Sequence, residues 1–162
     1  MAEASYIVEP AKLEDAQAIW NIRFHPSVSQ RSLKTEAVDF QKHDQWFKDK
    51  YFKNHDNKCF VLRSESEAVG YCRFDLEQNG AYLASIAIRP DYQGRGLGQL
   101  LFSESLEQLQ TTRPILATIK KNNAASLKLF QKNNFMIYKE DGDSYFLKRD
   151  CCQMPFGNSP KE

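Results

Sequence analysis

The chain has 162 residues, 41% of them hydrophobic and 27% charged, with a formal net charge of +1. That length suits one domain with a substantial core, and the near-neutral balance argues against nucleic acid as main partner, since phosphate-backbone binding needs a basic face. No apolar run approaches a membrane span, and Met1 to Ser5 lacks a basic region followed by an apolar stretch, so no signal peptide is expected and the cytoplasm is the expected location.

In chain order, Tyr6 to Glu9 reads as a first strand. Ala16, Ile19, Trp20 and Arg23 recur at helical spacing in a first helix from Ala11 that stops near His25-Pro26. Thr35 reads as the N-cap of a second helix through Phe52, with Phe40, His43 and Phe47 on its inner face and Trp46 beside them. The period then changes. Lys58 to Arg63, Ala68 to Leu76 and Ala81 to Ile88 are strand-like, and Asn79-Gly80 is a hairpin signal. Leu97, Leu100, Leu101, Leu106 and Leu109 mark a helix to about Gln110. A strand from Ile115 to Lys120, a helix from Ala124 to about Asn133 capped by Asn122-Asn123, and strands Phe135 to Tyr138 and Tyr145 to Lys148 complete the pattern. The order predicts an α+β single domain over residues 1–150 on a mixed, mostly antiparallel sheet, with residues 151–162 as a flexible tail. Cys59 and Cys72 read as buried hydrophobes, and no Cys/His spacing suggests metal.

The segment from Ile86 to Gly98 is the most informative. A strand ends at Pro90, and three glycines in five positions (Gly94, Gly96, Gly98) precede a helix. Glycines let backbone approach a ligand, and a helix N-terminus presents free N–H groups to an anion. The bland reading is a tight strand–helix connection. A dinucleotide fingerprint is excluded because Gly94-x-Gly96-x-Gly98 has the wrong spacing and the next strand ends in Lys120-Lys121 rather than a carboxylate. A P-loop is excluded because no Gly-Lys-Ser/Thr follows.

The remaining pattern, Gln93-x-x-Gly96-x-Gly98, with Asn123-x-x-Ser126-x-x-x-Phe130 and Asn134-Phe135 downstream, resembles the GNAT superfamily of acetyl-CoA-dependent N-acetyltransferases. The resemblance spans nearly the whole chain. It implies a splayed central strand pair and acetyl-CoA as co-substrate. It implies that the N–H groups of Gly94, Arg95, Gly96, Leu97, Gly98 and Gln99, behind Gln93, hold the CoA pyrophosphate. Ile86, Ala87 and Ile88 would offer backbone groups to pantetheine and polarise the thioester carbonyl. Asn123 would reach the pantetheine arm as well as cap its helix. One departure stands out. The family's usual general acid is a Tyr seven positions after that Asn, where this chain has Phe130, which donates no proton and reads as packing against the cofactor or core. Tyr138, Tyr145 or a water are the substitutes.

For the general base, His43 competes with its reading as a core histidine, and Asp75 and Glu77 are the carboxylate candidates, Glu77 reading better as a solvated strand end. Arg23-x-His25-Pro26, His43-x-x-Trp46 and Gly70-x-x-Arg73-Phe74 are similar to the GNAT branch that acetylates nucleotide-linked amino sugars, although Phe24 stands where that branch has Asn. This likeness implies that Arg23, His43 and Arg73 address a diphosphate and sugar hydroxyls, with Trp46 stacking on the base. Against it stands an Arg23 that snorkels and an Arg73 paired with a surface acid. The partner is then a small-molecule amine, with a homodimer left open because many relatives dimerise. The rival readings are an enzyme acting on a protein N-terminus or a polyamine, and a catalytically silent acetyl-CoA-binding module.

Overall fold

The computed structural model describes residues 5–29 and 38–150. The expected N-cap Thr35 and the expected tail at 151–162 lie outside them. One seven-stranded sheet runs in the order β1-β2-β3-β4-β5-β7-β6, with β1 Tyr6–Pro10, β2 Lys58–Ser64, β3 Glu67–Leu76, β4 Tyr82–Ile88, β5 Ile115–Lys120, β6 Met136–Glu140 and β7 Ser144–Arg149. All neighbouring pairs are antiparallel except β4–β5. Helices are α1 Ala16–Arg23, α2 Pro26–Ser29, α3 Phe40–Lys48, α4 Leu97–Leu109 and α5 Ala124–Lys132. No helix among the described residues is long and apolar enough to cross a membrane.

The first helix begins later than its apolar spacing suggests. A 3-10 turn at Leu13–Asp15 comes first, because Asp15 turns back to accept from the Lys12 N–H at 2.7 Å. Pro26 does not simply end α1. It opens α2, since a proline at the first helical position loses no hydrogen bond. Asp39 caps α3 by accepting from the Lys42 N–H at 2.9 Å. Beyond Lys48 the α-helix widens into a π turn, Asp49–Lys53. That wide turn carries Lys50 and Tyr51 toward β3.

Two apolar clusters flank the sheet. One gathers Phe60, Leu62, Cys72, Phe74 and Ala84 with Leu97, Leu101 and Phe102 of α4 and Phe130 of α5. The other gathers Val61 and Tyr71 with Ala16, Ile19 and Ile22 of α1 and Phe47 of α3. Strand alternation therefore turns Cys72 and Phe74 toward α4, and Tyr71, Arg73 and Asp75 toward α1 and α3.

β4 pairs with β3 along its whole length, from Gly70↔Ile88 to Leu76↔Tyr82. Its parallel ladder with β5 covers only Tyr82↔Ile115 and Leu83↔Leu116. From Ala84 onward the two strands part, so the β5-facing edge of β4 is unpaired there. Unpaired strand edges are templates for another extended chain.

Candidate functional site: a cleft between parted strands

The parting of β4 and β5 opens a cleft of about 670 Å³ that runs from the glycine turn to the α1–α3 face. It has two halves.

The first half is backbone. Ile86, Ala87 and Ile88 line it, followed by Gln93, Gly94, Gly96, Leu97 and Gly98. Gly94 (φ +78°) and Gly96 (φ +77°) are left-handed, and a Cβ at either would meet nothing within 4 Å. The turn thus needs glycine for its dihedrals and keeps open space where a ligand would approach. Gln93 donates its side-chain N–H to the Ile88 carbonyl at 2.9 Å, clamping the turn to the end of β4. Arg95 and Gln99 do not line the cleft with their side chains. Arg95 donates to the Asp91 carbonyl at 3.1 Å beside the Tyr92 ring, and Gln99 exchanges hydrogen bonds with Asn133 at 3.2 and 2.9 Å. Any contribution of theirs to the anion site comes through backbone N–H groups at the start of α4.

Across the cleft, Asn123 caps α5 by accepting from the Ser126 N–H at 3.2 Å, and no described residue takes its side-chain N–H₂. The cap and the ligand role are compatible, because they use different atoms of one amide. Phe130 is 2% exposed and packs on Phe102 (4.6 Å between centroids) and Phe135 (5.0 Å), one face closing the cleft. It is an apolar wall.

The second half is made of side chains from three elements. Asp75, 5% exposed, accepts from the Tyr51 hydroxyl (2.6 Å) and from Arg73 (2.7 Å), and lies 3.3 Å from the Lys50 ammonium. Burial raises the Tyr51 pKa, so the phenol stays protonated and donates. Trp46 collects cations. Arg23 lies 4.5 Å from a ring centroid, Arg73 5.3 Å and Lys50 5.8 Å. Register places Ser85 opposite Arg73 and Leu83 opposite Asp75. The Ser85 hydroxyl is thereby added to this wall, beside the free edge of β4. Glu77, exposed, stands at the mouth.

Several expected roles are corrected. His43 does not line the cleft. It is 1% exposed, stacked on Phe47 (6.1 Å, 11° between planes) with Trp46 at 5.4 Å, and neither ring nitrogen has a hydrogen-bond partner among the described residues. Burial first, then the Arg23 charge, push its pKa down to about 4, offset only in part by the Ala16 backbone. A sealed, neutral imidazole touches no substrate. Tyr138 is 56% exposed on β6, and Tyr145 sits beside Lys121 at 5.2 Å. Neither lines the cleft, so neither replaces the acid missing at Phe130. The Trp46 ring, already covered by guanidinium, is not a free platform for a base. Sequence reading missed Lys50, Tyr51 and Ser85. The first two were hidden by the α-to-π transition, which re-aims them, and Ser85 shows itself only through the register with Arg73.

The chain is similar to known proteins over most of its length. Residues 17–135 match the Acetyltransferase (GNAT) family. The acetyltransferase PseH of Campylobacter jejuni is 28% identical over 149 residues, covering 88% of this chain and 92% of that protein. The ribosomal protein bS18-alanine N-acetyltransferase of Salmonella typhimurium is 24% identical over 94 residues, covering 56% and 64%. Among solved structures, yncA of Salmonella typhimurium, with its cofactor acetyl-CoA, superposes with a TM-score of 0.78 at 19% identity, covering 97% and 98%. The chain belongs to the GNAT family of acetyltransferases, with acetyl-CoA as its co-substrate.

Proposed function

We propose that the acetyl group goes to the primary amine of a nucleotide-linked amino sugar. The carrying observation is the charge of the acceptor wall. Arg23, Lys50 and Arg73 gather on Trp46, where the buried carboxylate Asp75 is ion-paired to Arg73 and Lys50 and the other lining carboxylate, Glu77, is exposed at the mouth. A polycationic acceptor would be repelled there, and an anionic one drawn in. The likeness to PseH across 88% of the chain supports the same reading, while the likeness to the ribosomal protein enzyme covers 56%.

When bound, acetyl-CoA supplies an activated acetyl thioester. The chain's own residues hold it by the N–H groups at the start of α4, extend its arm along the free edge of β4, and present the amine from the α1–α3 face. Backbone N–H groups of β4 beyond Ala84 polarise the carbonyl. Asp75 positions Arg73 and Lys50 rather than abstracting a proton, because two cations on one of its oxygens make it a poor base. The amine therefore gives up its proton to solvent at the cleft mouth, where Glu77 stands, and CoA leaves as its thiolate and takes a proton from solvent, because Phe130 has none to give.

CoA release, followed across an acceptor panel, tests this. A nucleotide-linked amino sugar should turn over faster than the free amino sugar, an alanine-ended peptide and spermidine. Spermidine or the peptide leading the panel sinks the proposal.

A further inference from the structure

The cations of the acceptor wall are not equivalent. Arg73 donates to Asp75 at 2.7 Å and to the Tyr51 hydroxyl at 3.3 Å. Lys50 has Asp75 at 3.3 Å. Elsewhere, Arg63 is forked onto Asp15 at 2.8 and 2.7 Å and also reaches Glu9, while Arg89 is held by Glu67 and Asp91. Arg23 differs from all of these. It is half-buried on the last turn of α1, in the cleft wall, and none of its side-chain donors is taken by a described residue.

Its ring contacts explain how it is held. The guanidinium carbon lies 4.5 Å from the Trp46 ring and 5.1 Å from the Phe24 ring. Aromatic stacking uses the flat face of a guanidinium and leaves its N–H edge free for a planar, bidentate acceptor. The arrangement is costly without one. Arg23 and Arg73 approach the same indole with like charge, and Trp46 brings no negative group to offset them. Burial, followed by repulsion from Arg73, lowers the Arg23 pKa. Carboxylates do lie in the cleft, but Asp75 is taken by Arg73, Lys50 and Tyr51, and Glu77 has no ion pair with Arg23 among the described residues.

We propose that Arg23 is the receptor for a phosphate of the acceptor, a bidentate clamp held edge-on into the cleft by Trp46 and Phe24, and that acceptors without a phosphate are poor substrates for want of it. This rests on the nucleotide-linked acceptor proposed above and narrows it. Arg23 supplies a fork with no carboxylate or hydroxyl on it among the described residues, whereas Arg73 is tied through one terminal nitrogen to Asp75 and Tyr51 and its unpartnered Nε is sealed from solvent. An anion there would relieve the repulsion between the two guanidiniums, so binding should also stabilise the fold.

The test titrates uridine diphosphate, inorganic pyrophosphate and malonate, separately, into protein saturated with CoA, so that the glycine turn is already filled. Calorimetry reads affinity and a thermal melt reads stabilisation. The two phosphate probes should bind and raise the melting temperature, with malonate weaker. Arg23→Gln should weaken diphosphate binding about ten-fold or more, the usual weight of a charge-assisted pair. It should also abolish the rise in melting temperature without lowering the anion-free value. Arg23→Lys should recover only part, because an ammonium has no fork. Lys139→Gln, the same charge change on β6, should behave as wild type. In turnover, Arg23→Gln should raise KM for the nucleotide-linked sugar about ten-fold and leave kcat within about three-fold. Diphosphate binding unchanged by Arg23→Gln, or malonate bound as tightly as diphosphate, overturns the clamp. If Arg23→Gln acetylates the sugar nucleotide with wild-type KM, the clamp fails and the acceptor reading stands. If Arg23-dependent diphosphate binding occurs but no sugar nucleotide is acetylated, the clamp stands and the acceptor reading fails.

Discussion

The donor and acceptor halves of the cleft are built in opposite ways. The donor half comes from one contiguous stretch, Ile86 to Gly98, plus Asn123, and works through dihedrals, a free strand edge and a helix start. The acceptor half draws Arg23 from α1, Trp46 from α3, Lys50 and Tyr51 from the π turn, and Arg73 and Asp75 from β3. It works through side chains that neutralise one another. A backbone site tolerates change at most positions and fails at a few dihedrals, whereas a charge network fails when its buried carboxylate is removed.

The largest effect should therefore come from Asp75→Ala. It leaves Arg73 and Lys50 facing Arg23 without their buried counter-charge, in a region where Asp75 itself is 5% exposed. Uncompensated buried charge costs about 3–5 kcal/mol, to be read from urea unfolding. Affinity for acetyl-CoA should stay within about two-fold of wild type once the protein is folded, because the halves share few partners. Adding Arg73→Met to Asp75→Ala should recover part of the lost stability. A large loss of acetyl-CoA affinity in Asp75→Ala at temperatures where it remains folded would show that the halves are one unit.

Next in size is a pH effect carried by His43. Its pKa is about 4 in the folded chain against 6.5 for an exposed histidine. The unfolded chain thus binds the extra proton between pH 6.5 and 4. The stability associated with a neutral His43 is complete above about pH 6.5 and is lost as pH falls toward 4, at most about 3 kcal/mol over that window. His43→Leu, which keeps an apolar filling among Phe40, Trp46 and Phe47, should flatten this part of the stability curve. It should leave the acetyl-CoA KM at pH 7.5 unchanged. A shifted pH–kcat profile in His43→Leu would bring the imidazole back into the chemistry.

The same contrast explains what was legible in the sequence. The strand–turn–helix unit, the Asn79-Gly80 hairpin and the Asn123 cap are local, and local propensity decides them. Ile115 to Lys120 was read with its observed bounds for that reason. Arg23, Trp46, Arg73 and Asp75 could be singled out by residue type, but their pairing depends on where β3 lies against α1 and α3. Asp75 reads as a base in the sequence and is held by Tyr51, Arg73 and Lys50 in the fold. His43 reads as inward-facing, which it is, yet the inner face of α3 leads into an aromatic box rather than into the cleft. Lys50 and Tyr51 escape because no spacing announces a π turn.

Smaller effects separate positions within the backbone half. Gly96 is left-handed and has open space around its missing Cβ. Gly96→Ala should cost about 1–2 kcal/mol of stability from the αL penalty, and about ten-fold in acetyl-CoA affinity, because the methyl enters the space kept for the ligand.

Gly98 is the control. It lies inside the first turn of α4 with no positive φ, and a Cβ there would sit 3.6 Å from Leu129, an ordinary contact. Alanine is the better helix former by up to about 1 kcal/mol, so Gly98→Ala should hold or slightly raise stability and keep acetyl-CoA affinity within about two-fold. The opposed outcomes at positions 96 and 98 would locate the ligand's approach at the left-handed residues of the turn. Equal losses at both would show that the ligand also closes on Gly98 in the first turn of α4, where any added methyl stands in its way.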